Sequence, residues 1–232
     1  LYRIPYEKQK LDDNMKIVPE DYYKENGGVI FPNPNAPTGL LMDLDSVRDI
    51  IEHNKDVVVI VDEAYIDFGG VSAKDLVNEY DNVLVVQTFS KSRSMAGMRI
   101  GYAFGSKELI KALNDVKFSF NSYTMNMTSI DMGVASINDK KYFEECVERI
   151  TATRERTKEE LTKLGFTFPD SKANFIFATH KSVSAKEIFE KLKEKNIFVR
   201  YFNQPLIDNY LRITIGTDEQ MDKLIAALKE IL

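Results

Sequence analysis

Two apolar runs between Val57 and Tyr102, each ending in a burst of polar residues, limit the fold more than any other stretch. Val57-Val58-Val59-Ile60-Val61 stops at Asp62-Glu63-Ala64-Tyr65, and Val83-Leu84-Val85-Val86-Gln87 breaks into Thr88-Phe89-Ser90-Lys91-Ser92-Arg93-Ser94. The first run is unbroken and β-branched, which predicts a strand buried on both faces, as in a parallel sheet. The pair would deliver an aspartate, a tyrosine, a lysine and, at Arg99, an arginine to one sheet edge.

The flanking sequence alternates in the same way. Gly27-Gly28-Val29-Ile30-Phe31 reads as a short buried strand that stops at Pro32-Asn33-Pro34-Asn35-Ala36-Pro37-Thr38-Gly39. Three prolines and two asparagines in eight residues forbid helix and ladder alike, so a tight, rigid loop is expected. Asp43 or Asp45 would cap a helix with Val47, Ile50 and Ile51 on one face. Ser106 would cap another, bearing Leu109, Ile110, Leu113 and Val116, after a short strand at 99–104. Strands alternating with helices predict an α/β fold with a mostly parallel open sheet, whose ligands sit at the carboxyl ends of the strands.

From Lys140 to Leu164 the period turns helical, with Phe143, Val147, Ile150, Thr157, Leu161 and Leu164 on one stripe. A helix of about 25 residues spans nearly 40 Å, enough to lead out of one domain into another. Two domains are therefore expected, 1–143 and 144–232, joined by a long helix at about 140–164. The second is a compact α+β unit with strands Asn174 to Ala178, Ile197 to Tyr201 and Leu211 to Ile215. Its helices open at Ser184-Ala185-Lys186-Glu187 and Thr217-Asp218-Glu219-Gln220, both with capping-box spacing.

Composition excludes several classes of function. Thirty-six acids against 31 bases give a net charge of -5, and no basic stripe suited to nucleic acid is present. No run approaches the roughly 18 apolar residues that would span a membrane. The single Cys146 forms no internal disulfide, which favours a reducing compartment and a cytoplasmic location. Leu1-Tyr2-Arg3-Ile4-Pro5 lacks an initiator Met and a secretory signal and enters strand-like material, so a fragment of a longer chain is expected.

The polar bursts carry the chemistry. Lys91, placed just after a buried strand and between serines, is a candidate Schiff-base nucleophile. Arg99 lies eight residues on, and Thr88, Ser90, Ser92 and Ser94 crowd the same turn. Arginine with several hydroxyls and backbone N–H groups suits a phosphate, so a phosphorylated aldehyde is implied. Asp62, at the end of a buried strand, needs a cation. The protonated ring nitrogen of pyridoxal phosphate is such a cation, and Tyr65 would direct its phenol at the ring's O3′. Metal binding and helix capping are the other readings of Asp62, but no metal site is expected. A Walker-B role, and with it a nucleotide-binding ATPase, also fits Val57 to Ala64, but its Gly-x-x-x-x-Gly-Lys-Ser/Thr loop is not in this sequence and would have to lie in a preceding segment. Thr88-x-x-Lys91 echoes a Ser-Lys hydrolase only loosely and without that family's other signatures.

Asn33-Pro34-Asn35-Ala36-Pro37-Thr38-Gly39, Asp62-Glu63-Ala64-Tyr65, Ser90-Lys91 with Arg99-Ile100-Gly101, and Leu211-Arg212-Ile213-Thr214 occur in that order. As a set they resemble the fold-type-I aminotransferases, closest to the branch that acts on histidinol phosphate. The resemblance covers the whole chain, as roughly the last two-thirds of such an enzyme. It implies an incomplete pyridoxal-phosphate-binding large domain followed by a small domain. It also implies a homodimer in the full-length protein, with an amino donor and a 2-oxo acid as substrates. By this resemblance Lys91 would hold pyridoxal phosphate as a Schiff base, with Asp62 at the pyridine nitrogen and Tyr65 at O3′. Thr88, Ser90 and Arg99 would hold the phosphate. Arg212 would bind the anionic end of the substrate with Arg200 as second partner, and Asn174 would help to place Arg212. A solvent-facing strand position for either arginine, and a turn role for Asn174, are the alternatives. One position departs from the family: Ala36 stands where most relatives have an Asn that bonds O3′.

The resemblance implies transfer of an amino group between histidinol phosphate and 2-oxoglutarate, in histidine biosynthesis. A pyridoxal-phosphate decarboxylase of a phosphorylated amino acid shares nearly all these motifs. A truncated, inactive domain that binds a partner is the reading from outside enzymology.

Overall fold

Side chains that alternate in and out build the first sheet of the computed structural model, which describes residues 3–232. β1 (Val29–Pro32), β2 (Val59–Asp62), β3 (Val83–Thr88) and β4 (Gly101–Gly105) lie side by side in that order. The first three are parallel, and β4 returns antiparallel to β3. Val29, Phe31, Val59, Val61, Val83 and Val85 are buried on one face. Against them pack Val47, Ile50 and Ile51 of α1 (Leu44–Glu52), which is capped by the Asp43 carboxylate.

The other face corrects the expectation of a strand buried on both sides. Ile30 is 67% exposed and Ile60 half-buried, because α1 and the 3-10 turn at Ala73–Asn78 cover only the first face. A trough of about 1310 Å³ follows the open side, with Ile30, Val58 and Ile60 in its wall. The first residues do not form a strand at positions 3–5, and Leu1 and Tyr2 lie outside the described residues.

α2 (Lys107–Phe120) is capped by Ser106 as expected, but its apolar stripe is not covered. Leu109 packs beside Gly105 in the first turn, whereas Leu113 and Val116 are exposed because nothing among the described residues lies over the later turns. α3 (Met127–Asn138) was not legible beforehand. Met127, Ile130, Val134 and Ile137 recur at helical spacing, yet they and Met132 are all exposed.

The helix expected at 140–164 is α4 (Lys140–Lys163), which leads into a second sheet. β5 (Phe166–Thr167), β6 (Phe175–His180), β7 (Arg200–Tyr201) and β8 (Leu211–Thr214) form it in the order β5-β6-β8-β7, antiparallel throughout. α5 (Ala185–Glu194) and α6 (Asp218–Ile231) cover this sheet with Ile188, Leu192, Leu224 and Leu228, and Leu161 of α4 completes the core. Thr217 and Gln220 close a full capping box, while at α5 only the Ser184 half forms. The strand expected at 197–201 shortens to two residues, because Ile197 N–H bonds back to Leu192 at the helix end.

Arg154 ties the two parts together. It is 4% exposed on α4 and donates to the carbonyls of Phe68, beyond β2, and Ala173, before β6, at 2.8 and 2.9 Å. Its third partner is Glu155 at 2.9 Å. Removing the guanidinium strands two buried carbonyls, so Arg154→Ala is expected to destabilise the fold by about 3 kcal/mol. A denaturant titration measures this as a lower midpoint, and an unchanged midpoint would contradict it. Among the described residues no helix is long and apolar enough to cross a membrane. Nor does any group of His, Cys, Asp and Glu there suit a metal ion.

Candidate active site

The chemistry-bearing residues collect at the carboxyl ends of β2 and β3, where a parallel sheet places its ligands. Asp62 is the last residue of β2, in register with Pro32 of β1 and Val86 of β3. Its Oδ1 accepts from Ala64 N–H at 3.0 Å, which fixes the carboxylate. The other oxygen takes no hydrogen bond among the described residues, and the side chain is half-buried. Asn33 N–H donates to the Asp62 carbonyl at 2.8 Å, so the proline loop starts against the same strand end.

That loop is held from both sides. The Asn33 side chain bonds both backbone groups of Met42, at 2.8 and 3.0 Å, and Thr38 Oγ1 donates to Asn35 Oδ1 at 3.0 Å. Gly39, at φ +78°, lies so close to Ser171 that an added Cβ would fall 2.2 Å from its Oγ. Only glycine allows this approach, which presses the loop onto the segment leading into β6. Ala36 has no polar side chain to offer.

On β3, Thr88 Oγ1 lies 2.9 Å from Ser90 Oγ and 3.1 Å from the Ile100 carbonyl, and accepts from Ser90 N–H at 3.1 Å. The two hydroxyls expected to hold a phosphate are thus together. Arg99 follows the 3-10 turn at Ala96–Met98 in the left-handed conformation, φ +57°, a strained geometry for a non-glycine residue. Its guanidinium is exposed and donates to the Ala96 carbonyl at 3.0 Å, with no hydrogen bond to Thr88 or Ser90.

Lys91 is half-buried in the turn after β3, and its ammonium makes no ion pair or hydrogen bond among the described residues. Nζ lies 5.3 Å from the centre of the Tyr65 ring. Tyr65 meets Phe175 edge-on at 5.1 Å, and the Phe175 ring has the Arg212 guanidinium 5.2 Å away. Lys91, Tyr65, Phe175 and Arg212 therefore form a continuous wall from the first sheet to the second. Arg200 and Arg212 are register partners on β7 and β8, each within 6 Å of the Phe202 ring, at 5.4 and 5.8 Å. Among the described residues, Arg212 Nε is the one buried side-chain nitrogen or oxygen without a hydrogen-bond partner. Asn174 lies beside this wall and bonds Ile215 N–H through its carbonyl, at 2.9 Å, with no side-chain bond to Arg212.

Sequence reasoning missed the aromatic wall of Phe175 and Phe202, and also a buried acid. Glu63 is 1% exposed, and burial pushes its carboxyl above the usual carboxylate range. It accepts from Ser72, Ala73 and Gln87. Its position directly after Asp62 was the one available signal.

Among the described residues, this region holds an unpaired amine, a carboxylate with a free oxygen, paired hydroxyls and an arginine with an orphaned nitrogen. These groups fit a phosphorylated aromatic aldehyde. The chain belongs to the aminotransferase class I and II family, whose model matches residues 1–228. It is 54% identical over 232 residues to histidinol-phosphate aminotransferase of Clostridium beijerinckii, covering 100% of this chain and 65% of that relative. The chain thus spans just under two thirds of the length of the curated relatives that it matches. Among solved structures, histidinol-phosphate aminotransferase from Clostridium acetobutylicum is similar, with a TM-score of 0.88 and 27% identity. That match covers 95% of this chain and 69% of the other. A decarboxylase from Sulfurospirillum multivorans matches with a TM-score of 0.85 and 25% identity, covering 97% and 69%.

Proposed function

We propose that this chain carries the catalytic part of a histidinol-phosphate aminotransferase, moving an amino group between histidinol phosphate and 2-oxoglutarate. The observation that carries the reading is the wall from Lys91 through Tyr65 and Phe175 to Arg212, whose buried Nε has no partner among the described residues. The 54% identity to the Clostridium beijerinckii enzyme supports the substrate.

Pyridoxal phosphate is the cofactor, and it supplies an aldehyde for amine exchange and a cationic ring that stores the electron pair released at the substrate's Cα. Lys91 would hold it through its side-chain amine, and Lys91 Nζ, when free, would take the Cα proton as general base and return it. Asp62 would keep the ring nitrogen protonated, and the Tyr65 hydroxyl would donate a hydrogen bond to O3′. Thr88, Ser90 and Arg99 would bind the phosphate, for which Arg99 would have to give up its bond to the Ala96 carbonyl. Arg212 takes the anionic end of either substrate, carboxylate in glutamate or phosphate in histidinol phosphate, with Arg200 beside it and Asn174 supporting the wall.

We assign the large-domain part to residues 1–143 and the small domain to 144–232, a division that the separate cores favour. The exposed apolar residues of α2 and α3, among them Phe118, Phe120, Met127 and Ile137, suit burial in a homodimer. The lone Cys146 suits the cytoplasm.

The likeness to a decarboxylase makes the assay two-sided. The chain loaded with pyridoxal phosphate is given histidinol phosphate and 2-oxoglutarate, then a phosphorylated amino acid. Glutamate formed in step with histidinol phosphate consumed, without carbon dioxide, supports the transaminase. Carbon dioxide release from the amino acid would identify a decarboxylase instead.

A further inference from the structure

Behind the site lies a hydrogen-bond chain that no step above uses. Glu63 accepts from Ser72 Oγ at 2.5 Å, from Ala73 N–H at 2.6 Å and from Gln87 Nε2 at 2.7 Å. Gln87 Oε1 in turn accepts from the Tyr102 hydroxyl at 2.8 Å. The chain crosses three strands at the level of the site. Glu63 follows Asp62, Gln87 precedes Thr88, and Tyr102 follows Gly101, the register partner of Thr88. Adjacent residues of an extended chain point to opposite sides, so the burial of Glu63 goes with the accessibility of Asp62. Three donors on one buried acid form a network that specifies a single arrangement of the strand ends.

We propose that Glu63 is a positioning residue: through Gln87 and Tyr102 it locks the ends of β2, β3 and β4 together, and so aims Asp62 and the Thr88–Ser90 hydroxyls at one ligand. This role rests on the cofactor reading above. It differs from a purely structural role in what it does to protons. A ring nitrogen kept protonated by Asp62 is a positive charge near the nitrogen of Lys91, and like charge lowers the pH at which that nitrogen is half-protonated. If Asp62 is misaimed the ring proton is lost, and this midpoint rises. Deleting the negative charge of Glu63 without misaiming Asp62 acts in the opposite sense and lowers it.

The test loads the chain and its Glu63→Ala, Glu63→Gln and Tyr102→Phe variants with pyridoxal phosphate. It reads the dissociation constant and the midpoint pH of the visible absorption band. Glu63→Ala is expected to weaken binding about tenfold and raise the midpoint by about one unit. Glu63→Gln has the same shape, and a reversed Gln87 amide with a reversed Tyr102 hydroxyl satisfies it, so its binding is expected to stay close to wild type while its midpoint falls slightly, the charge being lost without misaiming Asp62. Should Glu63→Ala not fold, Tyr102→Phe carries the test with a smaller rise in the same direction. Midpoints that fall together in Glu63→Ala and Glu63→Gln would overturn the proposal, leaving charge as the whole effect. A Glu63→Ala variant that only melts earlier, or Tyr102→Phe with an unmoved midpoint, would overturn it too. A wild-type chain without a visible band would overturn the cofactor reading itself, and with it this role.

Discussion

Lys91→Ala is expected to abolish both the visible absorption of the cofactor-loaded chain and its transaminase turnover. The first loss follows because no other amine among the described residues lies against the wall formed by Tyr65, Phe175 and Arg212. The second follows from chemistry, since a positioned general base contributes about 10²–10⁴-fold and Lys91 also carries the covalent link. The fold should be indifferent, because Lys91 Nζ makes no hydrogen bond or ion pair among the described residues. Circular dichroism and a melting curve alongside the rate separate the two effects. A variant that keeps more than a hundredth of wild-type turnover would show that the amine lies elsewhere.

Arg212→Ala should reduce kcat/KM for both amino donors, histidinol phosphate and glutamate. A hydrogen bond to a charged group contributes about 1.5–3 kcal/mol, so a fork of two corresponds to a loss on the order of 10²–10⁴-fold. Arg212→Lys should recover only part of it, because an ammonium cannot reproduce the planar fork. Arg200, exposed on the short edge strand β7, should matter less when replaced by Ala. The physical reason is dielectric: the Arg212 guanidinium lies between two aromatic rings with Nε buried, where a charge-assisted bond is screened least. Steady-state kinetics with each donor decides the matter. A loss confined to one donor would mean that phosphate and carboxylate do not share this arginine.

The parts of this arrangement that the sequence revealed are those governed by short-range rules. The apolar runs of β2 and β3, the proline loop, and the caps at Asp43, Ser106, Ser184 and Thr217 are all local chemistry. The residues brought to the strand ends followed from that, since a parallel sheet leaves little choice of where its ligands sit. Long-range packing was not legible. In sequence, Arg154 looks like any other charged residue of a polar helix, yet it is buried because two carbonyls from distant loops converge on it. Nothing local marks Phe175, and only the meeting of the two sheets makes its ring the step between Tyr65 and Arg212. The open face at Ile30 and Ile60 reads identically in sequence to a covered one, because a strand does not encode whether a second layer is present.

Borohydride reduction of the chain loaded with pyridoxal phosphate, followed by peptide mapping, tests the central assignment most directly. The account predicts the pyridoxyl mass on Lys91 and on no other lysine, and no label at that peptide in Lys91→Ala. Label spread over surface lysines with Lys91 unmodified would contradict it.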